Sequence, residues 1–450
     1  MKFHKILTPI FYISIILNSC STKKKYLLEQ NNTAEKFELT NTIDESDNFT
    51  YENKTYSSNI KTILCYKKGD DLSPPIIQLN SNEKIILKFD DLSADRKNYK
   101  YSIFHCNSNW EKSNLVHNEY NSGFKYEDVI NYNYSFNTNQ KYIHYEIEFP
   151  NSSIQPLISG NYVLRLFDEL DSTVFFRRFM ILENSTFIKS NIKKATLMSN
   201  RDTKHEIDFT IYHPNIVISN PFSEIKVIVK QNNFEATKID NLKPRFIKEG
   251  QLIYDYEDIN NFNGNNEFRY FDIKSLRFLS DRIDKINYLN LDHVYLFEDK
   301  KRSFDLYSIL PDLNGNFIIK KQEGWDSSLE ADYTFVYFTL NCEKINLGDI
   351  YLIGGFSDWK INEDFKLDYN NKEEKYEANL LLKQGYYNYL YALKQYENQK
   401  VDISFIEWSH YETRNNYYIY VYFKEIGEKY ERLIGYHIDS SNELFWKNLF

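Results

Sequence analysis

HCNSNWEKSNLVHNEYNSGFKYEDVINYNYSFNTNQKYIHYEIEFPNS, residues 105–152, decides the fold class. In its last third Ile143, Tyr145, Ile147 and Phe149 alternate with His144, Glu146 and Glu148. Period-two alternation is the pattern of a strand with one face buried and one face wet. Residues 107–140 show neither helical nor strand periodicity over most of their length and are rich in Asn, Ser, Tyr and Glu. A loop this long inside a packed domain is uncommon and usually functional. The expectation is an exposed, polar binding loop leading into a clean strand.

Working outward, further short strand-like runs follow one another. IKTILCY, PIIQLN, EKIILKFDDL, YKYSIF, NYVLRLF and VFFRRFMIL surround the opening stretch and complete a seven-strand first domain over residues 59–184. Short strands separated by turn signals indicate a β-sandwich. In VFFRRFMIL the adjacent Arg177 and Arg178 must point to opposite faces, and an ion pair to a carboxylate is expected for one of them. HEIDFTIYHPN, EIKVIVKQN and QLIYDY mark a second domain at 185–320, and ADYTFVYFTL, GDIYLIGG and YYIYVYF a third at 325–440. Composition agrees. Tyr contributes 38 residues and Phe 33, both strand formers, while only 13 Gly are present, so many turns must draw on Asn or Asp. The fold class is therefore all-β, three immunoglobulin-like sandwiches in tandem.

The N-terminus has the layout of a targeting segment at residues 1–20. Lys2 and Lys5 precede an apolar run over residues 6–17 that is too short to span a membrane, and Leu17-Asn18-Ser19-Cys20 closes it. Two readings stand: a lipoprotein signal with lipidation at Cys20, which the placement of the cysteine favours, or an ordinary secretory signal. Residues 21–58 are polar and aperiodic, a flexible tether. The formal charge of −9, with no basic patch interleaved with aromatics, argues against nucleic acid.

Chemistry-bearing motifs are sparse. There is no G-x-S-x-G, H-E-x-x-H, phosphate loop or C-x-x-C, so no enzyme activity, cofactor, metal or small-molecule substrate is expected. Cys65, Cys106 and Cys342 allow one bridge, Cys65–Cys106, or three free thiols, the preferred reading. In NGNNEFRYFD, residues 263–272, Glu267, Arg269 and Asp272 invite a catalytic reading, but a carboxylate–arginine network that fixes a turn needs no nucleophile and is preferred.

HCNSNW, EYNSGF, YSFNT, YIHYEIEFPN and SGNYVLRLF resemble the signature run of the type IX secretion system plug proteins of Bacteroidetes. NNEFRYFD, ADYTFVYFTL, LKQGYYNYLYAL and YERLIGY extend the resemblance over residues 60–440; the family's usual second glycine is Asn265 here. The resemblance implies a periplasmic body held to the outer membrane by its lipid. On that resemblance the body is expected to seal sterically the mouth of the outer-membrane translocon barrel, its partner, when no cargo is engaged. Lys23, Lys24 and Lys25 follow Cys20 where surface-exported lipoproteins carry acidic residues, which implies retention on the periplasmic face. Trp110, Tyr120 and Phe124 of the long loop, with Arg269, Asp272 and Trp359, are the candidate structural or interface residues. A second likeness competes: IYLIGGFSDWK followed by LKQGYYNYLYAL is similar to glycogen-binding sandwich modules. It would make the protein a carbohydrate-binding lipoprotein with Trp359 as sugar platform; the other reading of Trp359 is a core plug at the end of a sandwich.

Overall fold

The computed structural model describes residues 49–441; the signal segment, Cys20 and the tether as far as residue 48 lie outside the described residues. The chain is all-β, built as antiparallel sandwiches. The four α-helices among the described residues are single turns of four residues each.

In the first sandwich, Thr173–Leu182, Gly160–Phe167 and Lys100–Cys106 form one sheet, and Ile60–Lys67, Ile85–Asp91 and Ile143–Phe149 the other. The apolar residues of the opening strand do what their alternation dictates: Ile143, Tyr145, Ile147 and Phe149 are buried against Phe89, Phe175 and Phe179. Two expectations are corrected here. The approach over residues 107–140 is not a bare loop. It holds the turn His117–Tyr120 and the short strands Asn121–Gly123, Glu127–Asp128 and Asn131–Tyr134, the last paired with Ile143–Phe149. The tether also ends before residue 58, because Lys54–Thr55 pairs with Phe176 and Phe175 on the edge of the first sandwich. A short strand there covers backbone groups that an open edge would leave unpaired.

The other two sandwiches are nested, and the expected division at 185–320 and 325–440 does not follow the sheets. One takes Phe187–Lys194, Lys204–Tyr212 and Gln251–Tyr254 on one side. On its other side Ile225–Gln231 pairs with Asn416–Phe423, which in turn pairs with Arg432–Ser440. Ile207, Phe209, Val227, Val229, Ile419 and Val421 share its core. The other sandwich lies between these segments. Gly385–Gln395 pairs with Arg269–Asp272, Phe317–Ile319 and Gly348–Ile353, and faces a sheet that includes His293–Leu296, Tyr333–Asn341 and Lys375–Lys383. Alternation specifies which face of a strand is buried, not which distant strand it pairs with, so the nesting has no local signature.

Buried polar contacts tie the sandwiches together. Asp90 of the first sandwich meets Lys383 at 2.6 Å, with both side chains about 1% exposed, and also accepts from Tyr333 Oη at 2.7 Å and His144 Nδ1 at 2.7 Å. Asp332 accepts from the backbone N–H groups of Asn139 and Gln140. Tyr422 Oη donates to Asn161 at 2.8 Å, and Arg432 Nε to Glu183 at 2.9 Å.

Candidate functional site

The long approach to the opening strand sorts its aromatics into two groups. Trp110, with φ of +67°, is buried beneath the guanidinium of Arg178, whose central carbon is 4.4 Å from the ring centre. Tyr120 is buried too, and its hydroxyl donates to the Ile103 carbonyl at 3.2 Å. Both are structural. Phe124 alone of the three stays at the surface, 68% exposed. Sequence reasoning missed its companions Ile130 and Phe136, at 82% and 69%. Their signal was available: EDVINYNYSF carries apolar residues among polar ones, and Ile130 and Phe136 flank a strand of only four residues, Asn131–Tyr134. Exposed aromatic and aliphatic side chains surrounded by Asn and Ser have the make-up of a wet protein interface.

Arg269 is the centre of a buried network. It donates to Glu407 through Nε at 3.0 Å and Nη2 at 3.0 Å, to Asp299 through Nη1 at 2.9 Å, and to the Lys300 carbonyl at 2.7 Å. Tyr389 and Tyr391 hydroxyls donate to the other Asp299 oxygen, and Arg302 donates to Glu407 at 2.7 Å. Burial alone would push the Glu407 carboxyl up, but Arg269 and Arg302 outweigh it and hold it below the usual range. The network therefore stays ionised, and its fork geometry locks the strand Arg269–Asp272 to segments 30 and 138 residues away.

Asp272 is not part of it. Residues 269 and 271 face inward, so Asp272 falls on the other face, where it accepts from the Lys274 backbone N–H at 2.9 Å. Glu267 is separate again: it accepts from Tyr307 Oη at 2.6 Å and from the Arg414 N–H at 3.1 Å, and its second oxygen has no hydrogen-bond partner among the described residues. Burial, then the neighbouring Asp312 charge, pushes Glu267 up to about 8; burial pushes Asp312 up to about 6. The motif thus holds an arginine network and a carboxyl pair rather than one constellation. Among the described residues no group of three or more His, Cys, Asp or Glu could hold a metal ion.

Trp359 follows Gly354-Gly355 with φ of +57° and is 9% exposed. Its ring meets Phe268 edge-on at 5.9 Å and Phe234 at 6.5 Å, closing a small core with Ile353, Leu390 and Ala392. The face a sugar ring would need is covered by side chains, so Trp359 is a core plug. The preceding residue, Asp358, pairs with Arg177 of the first sandwich at 3.2 Å, the carboxylate partner expected for one of the adjacent arginines. Cys65, Cys106 and Cys342 are free thiols, and burial pushes Cys65 and Cys106 up to about 12.

Comparison with known proteins follows this geometry. Residues 60–183 match the family model described as type 9 secretion system plug protein 1st domain. A crystal structure of a hypothetical protein from Parabacteroides merdae ATCC 43184 is similar at 30% sequence identity and a TM-score of 0.85, over 87% of this chain and 100% of that one. No curated protein matches the chain.

Proposed function

Because the chain belongs to the type 9 secretion system plug family, whose first domain it carries at residues 60–183, we propose that it seals the outer-membrane barrel of the secretion translocon from the periplasmic side while no cargo is engaged. Family membership carries the reading and gives a plug-related role in the cell envelope, in association with secretion-system components. The architecture supports the finer step. A plug works by steric exclusion and needs a body that does not come apart. Buried cross-links such as Asp90–Lys383 and Arg177–Asp358, and the nesting of two sandwiches, make independent movement of the sandwiches costly. The surface around Phe124, Ile130 and Phe136 is the contact we assign to the barrel. A lipid on Cys20 would hold the body at the membrane and raise its effective concentration at the pore, so individually weak contacts suffice.

The test is capture from solubilised outer membranes with the tagged chain. A very large outer-membrane protein should co-purify with wild type. It should be depleted with the Phe124→Ser, Ile130→Ser, Phe136→Ser triple variant, whose melting temperature should match wild type because all three side chains are exposed. A wild-type capture lacking any such protein would count against the plug role. An undiminished capture by the variant would move the contact to another face.

A further inference from the structure

Where the three sandwiches meet there is a cavity of about 330 Å³. The first sandwich contributes Arg177 and Arg178, the second Lys230 and Glu235, the third Asp358 and Lys360, and Glu52 closes one side. Ligand pockets commonly begin at about this size and at such domain junctions.

Its lining carries four cations, Arg177, Arg178, Lys230 and Lys360, and four carboxylates, Glu52, Asp71, Glu235 and Asp358, but they do not all pair. Arg177 is paired with Asp358 at 3.2 Å, Lys230 with Glu235, and Lys360 with Glu52 at 2.6 Å. Arg178 is left over. Its Nε donates to the Tyr51 carbonyl at 2.8 Å and its plane stacks on Trp110, but among the described residues its two terminal nitrogens donate no hydrogen bond. Among the described residues no carboxylate lies within ion-pair distance of it. Arg178 is half-buried, burial pulls its pKa down and the charges of Glu235 and Glu52 offset this only in part, so the cavity holds a partly desolvated guanidinium without an ion-pair partner among the described residues. Asp71, the lining carboxylate without an ion pair among the described residues, is exposed and screened by water.

We propose that this junction is a binding site for a monocarboxylate, with its carboxylate on the paired terminal nitrogens of Arg178 and a small apolar body among Ile76, Phe317 and Tyr420. Two parallel N–H groups match two carboxylate oxygens. One unpaired guanidinium matches one negative charge; a phosphate, at about −1.5 to −2, would overshoot it. The carboxylate could belong to a free organic acid or to the end of a polypeptide chain. Both present the same group, and either would bridge all three sandwiches.

Calorimetry on the full chain tests this, with benzoate, inorganic phosphate, and a short peptide ending in Phe as free acid or amide. Benzoate should bind saturably at one site and more tightly than phosphate. A free-acid peptide that outbinds benzoate and loses its affinity on amidation would identify a chain end; equal or weaker binding by the peptide would identify a free acid. Arg178→Gln should weaken benzoate by at least about tenfold. Glu235→Gln removes a competing negative charge and should tighten benzoate binding several-fold, which keeps the proposal testable should Arg178→Gln not fold. No saturable binding of any carboxylate by wild type, phosphate binding tighter than benzoate, an unchanged affinity in Arg178→Gln, or no tightening in Glu235→Gln would each overturn it.

Discussion

Lys383→Met probes the seam between the first sandwich and the nested one. Methionine keeps most of the stem that lies against Tyr142, 4.1 Å below the ammonium, but removes the charge. Asp90 would then keep Tyr333 Oη at 2.7 Å and His144 Nδ1 at 2.7 Å, and the Ser328 carbonyl would lose the ammonium donor at 2.8 Å but keep Tyr142 Oη at 3.1 Å. Breaking a fully buried pair costs about 3–5 kcal/mol; the two surviving hydrogen bonds to Asp90 place this case near about 3. Asp90→Asn in the same chain removes the stranded charge, so the double variant should recover about 1–2 kcal/mol of that loss. Urea unfolding at pH 7 measures all three chains. The pH dependence gives a second reading. Burial opposes ionisation of Asp90, but Lys383 and His144 outweigh it and hold its carboxyl below 3.8. A depressed carboxyl stabilises above its unfolded value and loses that contribution as pH falls through its folded one. Wild type should therefore lose this stability only below about pH 4, and the Lys383→Met variant should lose less there. A cost below about 1 kcal/mol, the worth of an exposed pair, would refute the claim that the seam is buried and rigid.

Four further outcomes are expected. Glu267 and Asp312 carry raised carboxyls, so the native state holds protons the unfolded chain has released, and stability should decline as pH rises from about 4.5 through about 8. Glu267→Gln should markedly flatten that decline up to pH 9, measured by urea unfolding across pH; an unchanged slope would contradict the burial argument. Gly315 has φ of +82°, and a methyl there would meet the Trp359 ring and approach Phe268 to 2.5 Å. Gly315→Ala should therefore cost about 2–5 kcal/mol in denaturant titration, and a neutral result would mean that the plug around Trp359 is loose. Trp359→Ala should cost about 3–5 kcal/mol as a core truncation. Calorimetry with soluble glucans should show no saturable binding by wild type, and binding would restore the sugar-platform reading.

Much of the fold could be read from alternation alone. Residues 143–149, 160–167 and 173–182 were identifiable because one face of each must meet a core, and that need is local. His144 escaped because its face, wet in an isolated sandwich, is covered by Tyr333 and Lys383 from nearly 200 residues or more away. The nesting escaped for the same reason: Val227 and Val421 are opposite in register but nothing in either segment names the other. At the candidate site, Arg269 was marked by its motif, yet its partners Asp299 and Glu407 come from outside it. Trp110 and Tyr120 looked like surface aromatics in a polar loop; both are buried, Trp110 beneath Arg178 and Tyr120 bonded to the Ile103 carbonyl. Phe124 remained outside because the strands beside it are too short to fold over it.

The most direct measurement of the plug role is vancomycin uptake in a deletion strain, with the translocon present and with it also removed. A barrel wide enough for folded cargo admits the antibiotic unless something fills it. Deletion should raise uptake when the translocon is present and leave it at the wild-type level when the translocon is absent. Uptake unchanged by deletion, or raised equally in both backgrounds, would contradict the sealing role.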